Sequence, residues 1–132
     1  MISAVSHVGI RVLDGARAEA FYAKLGFRVV ARFGRDSVVI LTNDAGVEIN
    51  LIVNAVPDHD GTNVLMDENL PKRAGYTHVA FAVDSIEETE RAVPAAGGEQ
   101  VLDSMEVPEV GQLAYFKDTE GNVFGALQPV GA

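Results

Sequence analysis

Thr77-His78-Val79-Ala80-Phe81-Ala82-Val83, with its earlier counterpart Ser6-His7-Val8-Gly9-Ile10-Arg11-Val12, decides how this chain folds. Each stretch alternates as a half-buried strand does and carries a histidine at its start. In the first, Val8, Ile10 and Val12 point to one face, and His7, Gly9 and Arg11 to the other. In the second, Val79, Phe81 and Val83 oppose His78, Ala80 and Ala82. A pattern stated twice in one chain implies two copies of one structural unit. The two histidines then hold equivalent places.

Working outward, both copies continue alike. Asp14 caps a helix over 15–25 that Gly26 ends, with Phe21, Leu25 and either Ala18 or Tyr22 as its apolar stripe. Strands follow at 27–32, 37–41 and 47–53, separated by turns at Gly34-Arg35-Asp36 and Asn43-Asp44-Ala45-Gly46. After the second histidine strand, Asp84-Ser85 caps a helix from Ile86 to about Ala96, which Pro94 should kink or shorten. Strands at 99–103, 111–117 and 122–127 complete it, the last two closing around Asp118-Thr119-Glu120-Gly121. The expected class is α+β, as two βαβββ modules over residues 3–55 and 75–130. Between them, 56–74 is a polar connection rich in Pro, Gly, Asp and Asn. His59, flanked by Asp58 and Asp60 in that connection, has no regular ligand spacing and reads as a solvated loop residue.

Composition narrows the function. The 132 residues suffice for one body with a buried core, and the absence of cysteine removes disulfides, thiolate ligands and a thiol nucleophile. It also fits a reducing cytoplasm, the expected location. A formal charge of −9 disfavours nucleic acids and anionic membranes as partners. No apolar run is long enough to span a bilayer, and no signal peptide is expected at the N-terminus. Neither a phosphate-binding nor a dinucleotide-binding glycine loop occurs. A small-molecule partner remains the expectation.

Four segments, SHVGIRV, FYAKLGFRVV, GYTHVAFAVDSIEE and YFKDTEGNVFGAL, stand in an order and spacing that resembles the vicinal-oxygen-chelate superfamily. That group includes glyoxalase I, bleomycin- and fosfomycin-resistance proteins and extradiol dioxygenases. The resemblance covers nearly the whole chain. It implies that the two modules curl their sheets around a shared cavity, and that a homodimer forms. In metal-dependent members, one divalent ion is held by four side chains, one from each of four strands.

Carried over residue by residue, the resemblance assigns His7 and His78 as metal ligands. The second ligand position, in Gly46-Val47-Glu48-Ile49-Asn50-Leu51, falls on Asn50. Glu48 shares its strand face about 6–7 Å away and is the candidate carboxylate ligand or acid–base group. The last position, in Asp118-Thr119-Glu120-Gly121-Asn122-Val123-Phe124-Gly125, falls on Gly125, which has no side chain to coordinate. Arg11 shares the histidine face. There a guanidinium would select an anionic substrate group, with Asn50 as a further substrate contact.

The leading expectation is a lactoylglutathione lyase-like enzyme. It would be a lyase or isomerase acting on a small substrate with vicinal oxygens, such as a glutathione-type thiol adduct. Its ion (Ni, Zn, Mn or Fe) would be held by His7, His78 and Glu48. The alternative is a metal-free protein that sequesters a small molecule or antibiotic. A dioxygenase is third.

Overall fold

A computed structural model describes residues 1–57, 65, 71 and 74–131. The chain divides into two compact units, Met1–Asp58 and His59–Ala132. The first runs β1 (Val8–Val12), α1 (Gly15–Lys24), β2 (Arg28–Phe33), β3 (Val38–Thr42) and β4 (Glu48–Val53). The second repeats that order with β5 (Val79–Ala82), α2 (Ile86–Ala95), β6 (Glu99–Val107), β7 (Gly111–Lys117) and β8 (Val123–Pro129). The expectation for His59, with Asp58 and Asp60 beside it, lies outside the described residues.

Each unit forms one four-stranded sheet, ordered β1-β4-β3-β2 in the first and β5-β8-β7-β6 in the second. The histidine-bearing strand lies parallel to the last strand of its unit, and the other pairings are antiparallel. In both units the helix packs on one sheet face. In the first, Ala18, Phe21 and Tyr22 of α1 are buried together with Val12, Val39, Leu41, Ile49 and Leu51. In the second, Ile86 and Val93 of α2 are buried with Ala114, Phe116, Phe124 and Ala126. Burial of large apolar side chains at about 1.5–3 kcal/mol each is the main support of each sheet–helix layer. Period-two alternation then fixes which side chains occupy the opposite, open face.

The helices begin where capping chemistry predicts. The side chain of Asp14 accepts from the N–H of Arg17, and that of Ser85 from the N–H of Glu88. They end at Gly26 and Gly97, whose φ values of 99° and 100° suit glycine best. Leu25 is the C-cap of α1 and only half-buried, so the buried stripe is Ala18, Phe21 and Tyr22. Pro94 falls in the last turn of α2, which ends one residue later. Strand β6 runs past its expected end at Asp103, to Val107. Its pairing with β7 shifts between Gln100 and Leu102 and again between Leu102 and Met105. Those irregularities break the alternation on which the sequence reading relied. Among the described residues, no helix is long and apolar enough to cross a membrane.

Two turns set the register of the strands that matter most. Before β4, Asn43 Oδ1 accepts from the N–H groups of Ala45 and Val47 at 3.1 and 2.9 Å. Before β8, Asp118 Oδ1 accepts from Glu120 and Asn122 at 2.8 and 2.9 Å. Both residues thus serve the second and fourth backbone N–H after themselves, and Asp118 is buried while doing so. Replacing Asp118 by alanine orphans those N–H groups and should cost about 2–3 kcal/mol, since bonds to a charged acceptor exceed neutral ones. Asp118→Asn keeps the Oδ1 acceptor that Asn43 uses and loses the bond that Oδ2 accepts from Asn122 Nδ2 at 3.2 Å, so it should cost less than the alanine. Denaturant midpoints at an unchanged m-value would read the difference; equal losses for both variants would contradict this account.

Candidate functional site

The open face of each sheet carries the residues that the sequence singled out. In the first unit, β-pairing aligns Gly9, Asn50, Ile40 and Ala31 in one row across the strands. The next row is Arg11, Ile52, Val38 and Phe33. His7 lies one residue before β1, and Glu48 opens β4. The His7 imidazole Nδ1 stands 3.9 Å from Glu48 Oε2, with both side chains partly exposed at 47% and 37%. That separation is electrostatic contact and too long for a hydrogen bond. Ser6 Oγ is 3.0 Å from the same nitrogen and orients the ring.

Asn50 is flanked on its row by Gly9 and Ile40, neither of which offers a side-chain donor. Its Oδ1 is buried and, among the described residues, has no hydrogen-bond partner. Such an acceptor is costly to leave unmet and calls for a partner, whether water or another group. Arg11 gives its Nε–H to Asn54 Oδ1 at 2.9 Å, which anchors the guanidinium along its strand. Asn54 was not anticipated as its partner.

In the second unit the corresponding rows are Ala80, Gly125, Tyr115 and Leu102, then Ala82, Leu127, Leu113 and Met105. His78 lies one residue before β5, as His7 lies before β1. Thr77 Oγ1 is 2.8 Å from His78 Nδ1, repeating the Ser6–His7 contact. The other ring nitrogen, Nε2, faces the Tyr115 hydroxyl at 3.4 Å, and the two rings meet edge to face at 5.0 Å. A hydroxyl residue ahead of each histidine is visible in the sequence as Ser-His and Thr-His. Tyr115 was missed, although a glycine inside a strand signals a close approach by a neighbour.

Equating the two units row by row pairs Asn50 with Gly125 and Glu48 with Val123. Both pairs stand at the same distance from their turn, the glycine being Gly46 in one and Gly121 in the other. The register therefore sets Glu48 beside His7 and Asn50 across from Gly9. For a four-ligand metal centre the donors do not fit. One position supplies only a neutral amide oxygen, a weak donor for a transition ion, and one supplies nothing. Among the described residues, no three His, Cys, Asp or Glu side chains are grouped as a metal site requires.

Comparison with known proteins accords with this architecture. The sequence model of the Glyoxalase/Bleomycin resistance protein/Dioxygenase superfamily matches residues 4–125. A 64-residue stretch is 34% identical to "Putative glyoxylase CFP32" of Mycobacterium tuberculosis, covering 48% of this chain and 24% of that protein. The chain thus matches about a quarter of that relative's length. Among solved structures, a glyoxalase family protein from Bacillus cereus superposes with a TM-score of 0.76 at 19% identity, over 99% of this chain and 97% of that one. The fosfomycin resistance protein FosX of Listeria monocytogenes gives 0.73 at 22% identity, over 98% and 94%, and has been solved with Mn(II) and sulfate. TnmS3, an antibiotic binding protein from Streptomyces sp. CB03234, gives 0.69 at 20% identity, over 97% of both chains. Such identities establish likeness of fold and leave activity to the site. By sequence match over nearly its full length and by its paired βαβββ units, the chain belongs to the Glyoxalase/Bleomycin resistance protein/Dioxygenase superfamily.

Proposed function

We propose that this protein binds a small molecule on the open faces of its sheets without the superfamily's four-ligand metal centre. The observation that carries the reading is the pair of equivalent positions Asn50 and Gly125, neither of which offers an anionic donor. The orphaned Oδ1 of Asn50 supports it further, because a ligand N–H or O–H would satisfy that acceptor. Arg11, held by Asn54, is suited to an anionic group of the same ligand. The antibiotic-binding function named for TnmS3 is a precedent on the same fold.

A second reading is the metal-dependent lyase or isomerase, with His7, Glu48 and His78 as ligands. Its support is the approach of His7 to Glu48 at 3.9 Å, which supplies two donors of suitable type. FosX is a structural relative solved with Mn(II). The homodimer expected from the family belongs to the same proposal; Val30 and Phe33, 53% and 59% exposed on edge strand β2, are apolar surface that a second copy would cover.

Metal analysis separates the two readings. Purified protein, and protein incubated with Mn(II), Ni(II), Zn(II) or Fe(II) and then desalted, should retain far less than one equivalent. Stoichiometric metal that disappears in His78→Ala would instead favour the lyase. Asn50→Leu should stabilise the ligand-free protein by about 1 kcal/mol, because it removes a buried acceptor that lacks a partner. Thermal or denaturant unfolding reads this directly, and a comparable loss of stability would mean the amide is already satisfied.

A further inference from the structure

On the helix side of the second unit's sheet, opposite the open face, a cavity of about 240 Å³ lies beside the tip of the β6–β7 hairpin. Its lining is mostly polar. Glu106, Gln112 and Gln128 form one row across β6, β7 and β8, and all three line it. They alternate with Met105, Leu113 and Leu127 of the open face, and so share the side of the buried Ala114 and Ala126. We propose that this cavity is a binding site for a guanidinium group carried by a small molecule. The site is separate from the open faces and goes beyond the reading given above.

The capacity of each polar group in the row is defined. Gln128 Oε1 accepts from the backbone N–H of Ile86 at 2.9 Å, a bond that only the oxygen of the amide can make. The orientation of that amide is thereby fixed, and its Nε2 hydrogens are left for a ligand. Among the described residues, Glu106 takes part in no ion pair. Of the cations described in this unit, Arg91 donates to Glu87, and Lys117 stands at the far end of β7 from Gln112. Glu106 therefore offers an uncompensated carboxylate, with the Gln112 amide as its cross-strand neighbour. A guanidinium fits this pair: two of its N–H groups lie side by side on the carboxylate, and a third reaches Gln112 Oε1. An ammonium lacks that planar fork. Gln128 Nε2 then donates to a carbonyl oxygen of the same ligand.

Size and field agree with that occupant. The cavity is smaller than the roughly 300–1,000 Å³ of pockets that enclose drug-sized ligands, so it suits a head group. Gly111, which also lines it, has a φ of 146°, and a Cβ there would run into the backbone carbonyl oxygen of Gln128. No side chain fits at that position, and the space beside Gln112 stays bare. Charge is divided unevenly along the chain. Residues 59–132 hold thirteen Asp and Glu against four Lys and Arg, whereas 1–58 hold six of each. The whole formal charge of −9 thus belongs to the second unit, whose field draws cations and repels anions.

The test follows amide signals of the full, isotope-labelled chain by NMR while three probes are titrated at low ionic strength, where charge contacts are least screened. The probes are N-acetylarginine amide, its uncharged near-isostere N-acetylcitrulline amide, and N-acetyllysine amide. The arginine compound should shift the backbone signals of the β6–β7 turn and the end of β8, together with the side-chain NH2 signals of Gln112 and Gln128. It should bind roughly fivefold more tightly than either of the others. Glu106→Gln, a conservative change at an exposed position, should abolish the preference for arginine over citrulline while leaving the rest of the spectrum in place. Gln112→Leu should weaken arginine binding by roughly threefold. Shifts spread over the acidic face of α2 and unchanged in Glu106→Gln would overturn the site. Equal binding of arginine and citrulline probes refutes the role of the carboxylate, and equal binding of arginine and lysine probes refutes the guanidinium assignment.

Discussion

The side-chain oxygen that locks each unit's last hairpin is the constraint on which the rest depends. Asn43 and Asp118 accept from the second and fourth backbone N–H groups beyond themselves, and so fix where β4 and β8 begin. A strand has only two faces, so a register fixed at its start decides the exposure of every later residue. Asn50 and Gly125 stand on the open face because of these turns, and Ile49 and Phe124 are buried beneath the helices for the same reason. The turns therefore set which side chains reach the open faces.

Within that frame the two units have exchanged polar and apolar positions. On the row following each histidine, the first unit carries Asn50 on its last strand and Ile40 beside it; the second carries Gly125 and Tyr115. A medium side chain next to a medium side chain has become none next to a large one. Side chains packed across a sheet must fill the surface together, so the loss at Gly125 and the ring at Tyr115 are complementary. The polar atom has also moved one strand across, from an amide on β4 to a phenol on β7. In this way a common scaffold carries an amide in one unit and a phenol in the other.

The repeat, the succession of its elements and the strand faces of Arg11, Glu48 and Asn50 were legible in the sequence, because period-two alternation and turn chemistry are local properties. So was the lack of a carboxylate at Gly125. The route by which that gap is filled was not legible, since Tyr115 and Gly125 meet through cross-strand pairing that no local pattern specifies. The same limit hid Asn54 as the partner of Arg11, and the bulged continuation of β6 beyond Asp103. Where alternation was interrupted or contacts were non-local, only the three-dimensional register could supply the answer.

That coupling bears on how such a site changes. Introducing a glutamate at position 125 alone would bring its Cβ to 3.3 Å of the Tyr115 ring, which must give by a few tenths of an ångström, and removing Tyr115 alone would uncover a glycine with no donor to offer. The first step brings a carboxylate at the expense of the ring's packing, and the second gains nothing. Substitutions at contacting positions of this kind are non-additive, and their joint effect cannot be inferred from either one. Gly125 and Tyr115 therefore form a unit: the glycine leaves the room, and the tyrosine is the group that uses it.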